Sequence, residues 1–95
     1  MFRIDATPRY LRDIEGIGPE AHALLLKKIE RIRQNPYREK RLTHPRAVVF
    51  RVRFSDRGAD KRLIYSVERN TISLLAITDR KHGYDDLNRI LRGGA

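Results

Sequence analysis

Between the two halves of the chain the spacing of apolar residues changes, and this change constrains the fold more than any other feature. From residue 10 to residue 34, apolar residues recur every three or four positions, which is the period of an amphipathic helix. From residue 50 they recur at every second position, as in Phe50-Arg51-Val52-Arg53-Phe54, which is the period of a strand with one buried face. The sequence therefore predicts an α+β fold with its helices before most of its strands.

Two helices are predicted before residue 35. A short alternating strand over residues 2–6 comes first, and Thr7-Pro8 then supplies an N-cap followed by proline at the first helical position. This helix ends at Gly16-Ile17-Gly18, where Pro19 opens a longer helix that Asn35-Pro36 stops. The result is a helical hairpin. The polar residues 36–46, with two prolines, are predicted to form a loop.

Three later segments are predicted to form an antiparallel meander. They centre on residues 50–54, 62–67 and 72–77, joined by residues 55–60 and by a turn at Arg69-Asn70. Burial of one apolar face requires Arg53 to lie opposite Arg62, and the turn places Val67 opposite Ile72. Ile72, Leu74 and Ala76 then face the helices. A short helix is predicted over residues 85–92, with Asp85 and Asp86 favouring its N-terminus.

The other side of the meander is predicted to be an uncovered cationic surface. Arg51, Arg53 and Arg62 share it with Ile64, Leu75 and Ile77. Like charges opposite one another destabilise a sheet. A fold tolerates this repulsion more readily if the surface serves to hold an anion. The alternative is an ordinary solvated strand face. Because Lys and Arg exceed Asp and Glu by 21 to 12, a net charge of +9, nucleic acid is the first candidate partner, ahead of an acidic protein and an anionic membrane.

Composition excludes several kinds of site. The 95 residues contain no cysteine, which excludes disulfides, thiolate nucleophiles and zinc–cysteine sites. His22, His44 and His82 lack metal-ligand spacing, so we expect no metal and no cofactor. A chain of this length is expected to form a single domain over residues 1–95. Without a leader or an apolar segment long enough to span a bilayer, it is expected to be cytoplasmic and to have no membrane partner.

The order of elements and several residues resemble the RelE/ParE toxin superfamily over residues 2 to about 91. The resemblance rests on the string from Phe50 to Phe54, then Lys61-Arg62-Leu63-Ile64-Tyr65, and then Ile77, Arg80 and Tyr84. Asn35-Pro36 followed by Lys40-Arg41-Leu42 is also typical of the family. No one of these strings is specific, and the resemblance rests on their order and spacing over the 95 residues.

The resemblance implies the toxin of a type II toxin–antitoxin system, a metal-independent endoribonuclease that acts on the ribosome. Such toxins enter the ribosomal A site, beside the 16S rRNA, and cut the mRNA there by attack of a 2′-hydroxyl on the adjacent phosphate. An acidic antitoxin blocks them. The implied catalytic residues are Arg51, Arg53, Arg62, Arg80, His82 and Tyr84, and the implied RNA-binding residues are Arg51, Arg53, Lys61 and Lys81.

The implied roles follow the needs of this reaction. Arginine can hold two oxygens of the crowded phosphorane, and Arg80 can stabilise the leaving oxygen. Either Tyr84 or His82 is the expected base. Some family members have lysine at the positions of Arg51 and Arg53. Since arginine does not give up its proton, those two residues would keep only the electrostatic role.

Two other functions stay open on the sequence. A ParE-like member would inhibit DNA gyrase by binding it and would not be an enzyme. The family's ParE-type chains usually lack the arginine and tyrosine set, which favours the nuclease. An inactive relative would bind nucleic acid through backbone phosphates alone.

Overall fold

The computed structural model describes residues 1–79 and 87–93, without the side chains of residues 92 and 93. The elements in chain order are β1 (Arg3–Ala6), α1 (Pro8–Ile14), α2 (Pro19–Gln34), β2 (Lys40–Leu42), β3 (Val49–Asp56), β4 (Ala59–Glu68), β5 (Thr71–Asp79) and α3 (Leu87–Gly93). The predicted α+β class, helical hairpin, meander and C-terminal helix are confirmed. The predicted caps of that last helix, Asp85 and Asp86, lie outside the described residues.

The strands form one five-stranded sheet in the order β1-β5-β4-β3-β2. The meander of β3, β4 and β5 has the predicted register, with Arg53 opposite Arg62 and Val67 opposite Ile72. At one edge β1 pairs in parallel with β5, and at the other β2 pairs antiparallel with β3. The prediction of a loop over residues 36–46 was wrong at β2, because three residues are too few to display an alternating pattern.

Both hairpins of the meander have tight two-residue turns. Arg57 and Gly58 connect β3 to β4, and Arg69 and Asn70 connect β4 to β5, each with positive φ. Two consecutive positive φ angles are the mark of a type I′ turn, whose twist matches that of the flanking strands. The connection predicted over residues 55–60 is therefore shorter than expected, since the strands continue to Asp56 and resume at Ala59.

One extra residue in β5 changes which side chains face the helices. Ile64 pairs with Ala76 and Tyr65 pairs with Leu74, so Leu75 has no partner in β4 and forms a β-bulge. Beyond it Ile77 packs with the helices, whereas Ala76 lies on the opposite side. The predicted positions of Ala76 and Ile77 were thus wrong, because they assumed uninterrupted alternation.

Helix α1 holds this bulge. Thr7, the predicted N-cap, accepts a hydrogen bond at Oγ1 from the Tyr10 amide at 3.1 Å. The same hydroxyl donates to the carbonyl of Leu75 at 2.9 Å. Six residues further on, Asp13 accepts a hydrogen bond from the Ile77 amide at 2.9 Å. These contacts satisfy backbone groups that the bulge removes from the strand ladder.

The main core lies between the sheet and helices α1 and α2. Its most buried members come from both helices and from the three central strands. They are Tyr10, Ala21, Leu25, Ile32, Phe50, Val52, Phe54, Leu63, Tyr65, Val67, Ile72 and Leu74. No helix among the described residues is long and apolar enough to cross a membrane.

A second apolar cluster lies on the other side of the sheet, beneath α3. Leu87 and Ile90 of that helix cover one end of this side. The strand residues in the cluster are Leu42, Val49, Ile64, Leu75 and Ala76. The prediction that this whole side is uncovered was therefore wrong: its apolar part has its own helix, and only the remainder is open for a ligand.

Candidate nucleic-acid interface

Cationic side chains occupy the part of this second side that lies nearer the β3–β4 turn. We name this surface the arginine face, defined by Lys40, Arg51, Arg53, Asp60, Arg62 and Thr78. In the strand register Lys40 lies opposite Arg51, and one step along the sheet Arg53 lies opposite Arg62. Thr78 of β5 lies on the other flank of Arg62. The alternation of side chains therefore gathers four cations on three neighbouring strands.

Lys40 is a member of this face that the sequence did not reveal. Its side chain shares the face with Arg51 because directly paired residues point to the same side of a sheet. The signal was missed because β2 was predicted to be loop. The string Lys40-Arg41-Leu42 carried the information, since Leu42 is buried in the second cluster and the residue two before it must share its side.

The three arginines differ in burial. Arg53 is exposed, Arg51 is half-buried, and Arg62 retains only 6% of its accessible surface. The expectation that Arg62 faces solvent was therefore wrong. Arg62 is the central cation of the face, between Arg53 on one strand and Thr78 on the next. A guanidinium removed from water attracts an anion more strongly than an exposed one does.

Two polar atoms near Arg62 suggest where an anion would lie. Within residues 1–79 and 87–93, the buried Nε of Arg51 and the buried Oγ1 of Thr78 have no hydrogen-bond partner. Leaving such groups unsatisfied is costly, and a phosphate would accept from both kinds of donor. The face thus offers hydrogen-bond donors that the protein itself does not use.

One carboxylate borders the cations. Asp60 lies on β4 two residues before Arg62 and opposite Ser55, so its side chain is on the same face. Its Oδ2 lies 3.6 Å from a terminal guanidinium nitrogen of Arg53, and both side chains are about half exposed. The sequence pattern did not reveal Asp60, because residues 55–60 are predicted to connect two strands.

Lys61 does not belong to this face. It lies opposite Phe54, on the side covered by α1 and α2. Its ammonium donates to Oδ2 of the buried Asp56 at 2.7 Å. This hydrogen bond, together with one from the Gly18 amide, lowers the pKa of Asp56 to about 2. The predicted RNA-binding role of Lys61 conflicts with this placement, and we do not retain it.

Tyr10, Tyr65, His22 and His44 do not supply a base to the arginine face. Burial raises the pKa of Tyr10 and Tyr65, and both rings lie in the main core. The hydroxyl of Tyr65 donates to the carbonyl of Pro36 at 2.6 Å. His22 is on α2, on the other side of the sheet.

His44 ties the β2–β3 loop to α3. Its Nδ1 accepts from the Arg46 amide at 3.1 Å, so the ring proton is on Nε2, which donates to Oδ1 of Asn88 at 2.9 Å. This arrangement gives His44 a structural role.

Four of the predicted site residues, Arg80, Lys81, His82 and Tyr84, lie outside the described residues. The chain leaves β5 at Asp79, immediately after Thr78. In the described part of the chain, no three His, Asp or Glu side chains gather as a metal site would require.

Comparison with known proteins identifies the fold. No family model and no curated protein matches the sequence. Among solved structures, a doubly substituted mutant of the E. coli toxin RelE in the free state superposes with a TM-score of 0.77 at 16% identity, covering 97% of this chain and 96% of that chain.

Two further solved structures agree. The isolated E. coli RelE toxin superposes with a TM-score of 0.71 at 18% identity, over 96% of this chain and 99% of that chain. A chain of the intact E. coli RelBE toxin–antitoxin complex gives 0.72 at 17% identity, over 85% of this chain and 99% of that chain. At such low identities these likenesses establish the fold.

Proposed function

We propose, on the premise that this chain has the fold of the RelE toxin, that it is the toxin of a toxin–antitoxin system and cuts mRNA on the ribosome. The observation that carries the proposal is the arginine face. Lys40, Arg51, Arg53 and Arg62 lie on one side of adjacent strands, beside donors that have no acceptor among the described residues. Such a surface suits a phosphodiester better than it suits a protein's own stability.

The proposed reaction is an internal transesterification. The 2′-oxygen of one nucleotide bonds to the adjacent phosphorus, and the bond from phosphorus to the 5′-oxygen of the next nucleotide breaks. The products are a 2′,3′-cyclic phosphate and a free 5′-hydroxyl. A base takes the proton of the 2′-hydroxyl, and an acid supplies one to the departing 5′-oxygen.

The arginines act on the charge that develops in this step. Arg62, desolvated at the centre of the face, and Arg53 beside it would hold the non-bridging oxygens of the phosphorane, with Arg51 and Lys40 binding the adjoining backbone. These arginines would take no part in proton transfer, because arginine stays protonated.

The proton carriers belong to the segment after β5. In this proposal Arg80 stabilises the leaving oxygen, Lys81 binds backbone phosphate, and Tyr84 or His82 is the base. The exclusion of Tyr10, Tyr65, His22 and His44 by their positions favours a base from that segment.

The proposed partners follow from the same charge pattern. mRNA in the ribosomal A site and the adjoining 16S rRNA are polyanions, and the chain has a net charge of +9. An acidic antitoxin is the proposed protein partner. One of the similar solved structures is described as a toxin–antitoxin complex, which supports this assignment.

The test is cleavage of a defined mRNA on purified ribosomes, with the cut mapped at single-nucleotide resolution. Wild-type protein should cut within the A-site codon and leave a 5′-hydroxyl, and a 2′-deoxy nucleotide before the scissile phosphate should abolish the cut. Arg53→Ala should reduce the rate about 10²- to 10³-fold, because it removes one donor to the transition state.

Two further variants make the result specific. Arg62→Lys keeps the charge at a buried position and should still reduce the rate at least about 10-fold, since lysine lacks the planar fork. Arg31→Ala removes the same charge as Arg53→Ala, but at an exposed position of α2, and should leave the rate unchanged. A second experiment expresses the protein in a bacterium. If the cellular transcripts then stay intact and DNA breaks accumulate, the proposal fails and inhibition of DNA gyrase replaces it.

A further inference from the structure

The carboxylate of Asp60 competes with the ligand that the arginine face is proposed to bind. It lies beside the most exposed arginine of the face, Arg53, and on the same strand as the most buried one, Arg62. The 3.6 Å separation between Asp60 Oδ2 and Arg53 is longer than a well-formed charged hydrogen bond of about 2.7–2.9 Å. The pair is therefore loose and open to exchange.

We propose that Asp60 is the internal counterion of Arg53, which an RNA phosphate displaces when it binds. This inference rests on the proposed function, because it names the group that regulates affinity at the same site. In the free protein the Arg53 guanidinium lies next to the Asp60 carboxylate. In the complex the phosphate takes over that guanidinium, and Asp60 returns to solvent.

Two physical consequences follow from such an exchange. RNA binding is weaker than the number of cations implies, because one of them must first leave a carboxylate. The dependence on salt is also shallower, because the freed Asp60 carboxylate takes up a cation from solvent while the bound phosphate releases one. Each phosphate contact with single-stranded nucleic acid normally contributes about 0.7 to the slope of log K against log salt.

Asp60→Asn is the test, because it removes the charge and keeps the shape. Binding of a short 2′-O-methyl oligoribonucleotide, which lacks the attacking hydroxyl, is measured by fluorescence anisotropy between about 50 and 300 mM NaCl. Asp60→Asn should tighten binding about two- to fivefold at the lowest salt, the effect of freeing an exposed ion pair. It should also steepen the salt slope by up to about 0.7.

The matched control is Asp5→Asn. Asp5 is as exposed as Asp60 and also pairs with an arginine, Arg3, at 3.1 Å. It lies on the edge strand β1, and strand spacing puts it about 20 Å from Arg53, beyond the Debye length of about 8 Å at physiological salt. The two variants have the same net charge, so any excess effect of Asp60→Asn is local.

A double variant separates counterion exchange from a structural role. In the Arg53→Ala background, Asp60→Asn should leave affinity and slope unchanged, because the competing pair no longer exists. Equal effects of Asp60→Asn and Asp5→Asn, or an undiminished effect without Arg53, would refute the inference. If Asp60→Asn has no effect while Arg53→Ala still weakens binding, this inference alone fails. If neither Arg53→Ala nor Arg62→Lys alters binding, the proposed function fails with it.

Discussion

Among single residues, Asp56 joins three parts of the chain. Its carboxylate accepts hydrogen bonds from the Gly18 amide at 3.0 Å and from the Lys61 ammonium at 2.7 Å, and it pairs with Arg57. Gly18 suits this contact because a Cβ there would lie 3.3 Å from Asp56 Oδ1. The start of α2 is thereby fixed to the β3–β4 hairpin, the same hairpin that carries Arg53, Asp60 and Arg62.

Asp56 makes stability depend on pH in the acid range. Because its pKa is lowered to about 2 from an ordinary 3.8, the folded state binds its proton less readily than the unfolded state does. Its contribution to stability is therefore complete above about pH 4 and is lost as the pH falls through 3.8 towards 2. Urea unfolding should show a falling midpoint across this window.

The control for this prediction is Asp56→Asn. The variant should be less stable at pH 7, because Lys61 loses its partner, and its stability should vary less between pH 4 and pH 2 than that of the wild type. An equally steep loss of stability in the variant would assign the acid sensitivity to other carboxylates. Asp5→Asn, which alters an exposed pair, should keep the wild-type pH profile.

Among the elements, α1 determines the shape of β5. The short helix meets the bulge at Thr7, which bonds to the carbonyl of Leu75, and again at Asp13, which bonds to the amide of Ile77. The bulge moves Thr78 to the side of Arg62 and returns Ile77 to the core. A helix on one side of the sheet thus determines which residues of β5 contribute to the arginine face on the other side.

Asp13→Ala should destabilise the protein by about 1–3 kcal/mol, because the partly buried amide of Ile77 would lose its acceptor. Urea unfolding measures this loss, and hydrogen exchange should show faster exchange at the Ile77 amide. Arg9→Ala removes only the ion pair at 3.4 Å with Asp13 and should cost less than about 1 kcal/mol. Equal losses for the two variants would contradict the role given to the Ile77 bond.

The sequence predicted the elements whose signals are local. Alternation and turn chemistry determined the register of the meander, including the pairing of Arg53 with Arg62. The bulge escaped prediction because its cause lies in α1, more than 60 residues before Leu75 along the chain. The positions of Lys40 and Asp60 on the arginine face were not predicted for a related reason. Both lie at strand ends, which are defined by pairing with a neighbouring strand and not by the alternation of apolar residues. The burial of Arg62 is a tertiary property that no local pattern carries.

At the scale of the whole molecule, the positive charges that would favour binding of a polyanion also lower the stability of the folded protein. The net charge is +9, and the arginine face places Arg53 directly opposite Arg62. Repulsion of this kind weakens the folded state at low ionic strength, and added salt screens it. The same repulsion is relieved when a polyanion binds, so the protein should be more stable in its complexes than alone.

The thermal midpoint of the free protein should therefore rise by roughly 2–6 °C between about 20 and 300 mM NaCl, as followed by circular dichroism. The double variant Lys40→Gln with Arg53→Gln should show a smaller rise, because it removes two cations from the arginine face. Lys27→Gln with Arg31→Gln removes the same charge from exposed positions of α2 and is the control. Identical curves for the two double variants would show that repulsion is not concentrated on this face.

The parallel pairing of β1 with β5 has a consequence for folding during synthesis of the protein on the ribosome. Ala6, at the end of β1, is matched with Leu74, so the first strand to be synthesised has no neighbour in the sheet until the last strand has emerged. Pairings between such distant segments form slowly. While β2, β3 and β4 are being translated, β1 is an unpaired strand that can associate with other nascent chains, and its charged Arg3 and Asp5 are the kind of residues that discourage this.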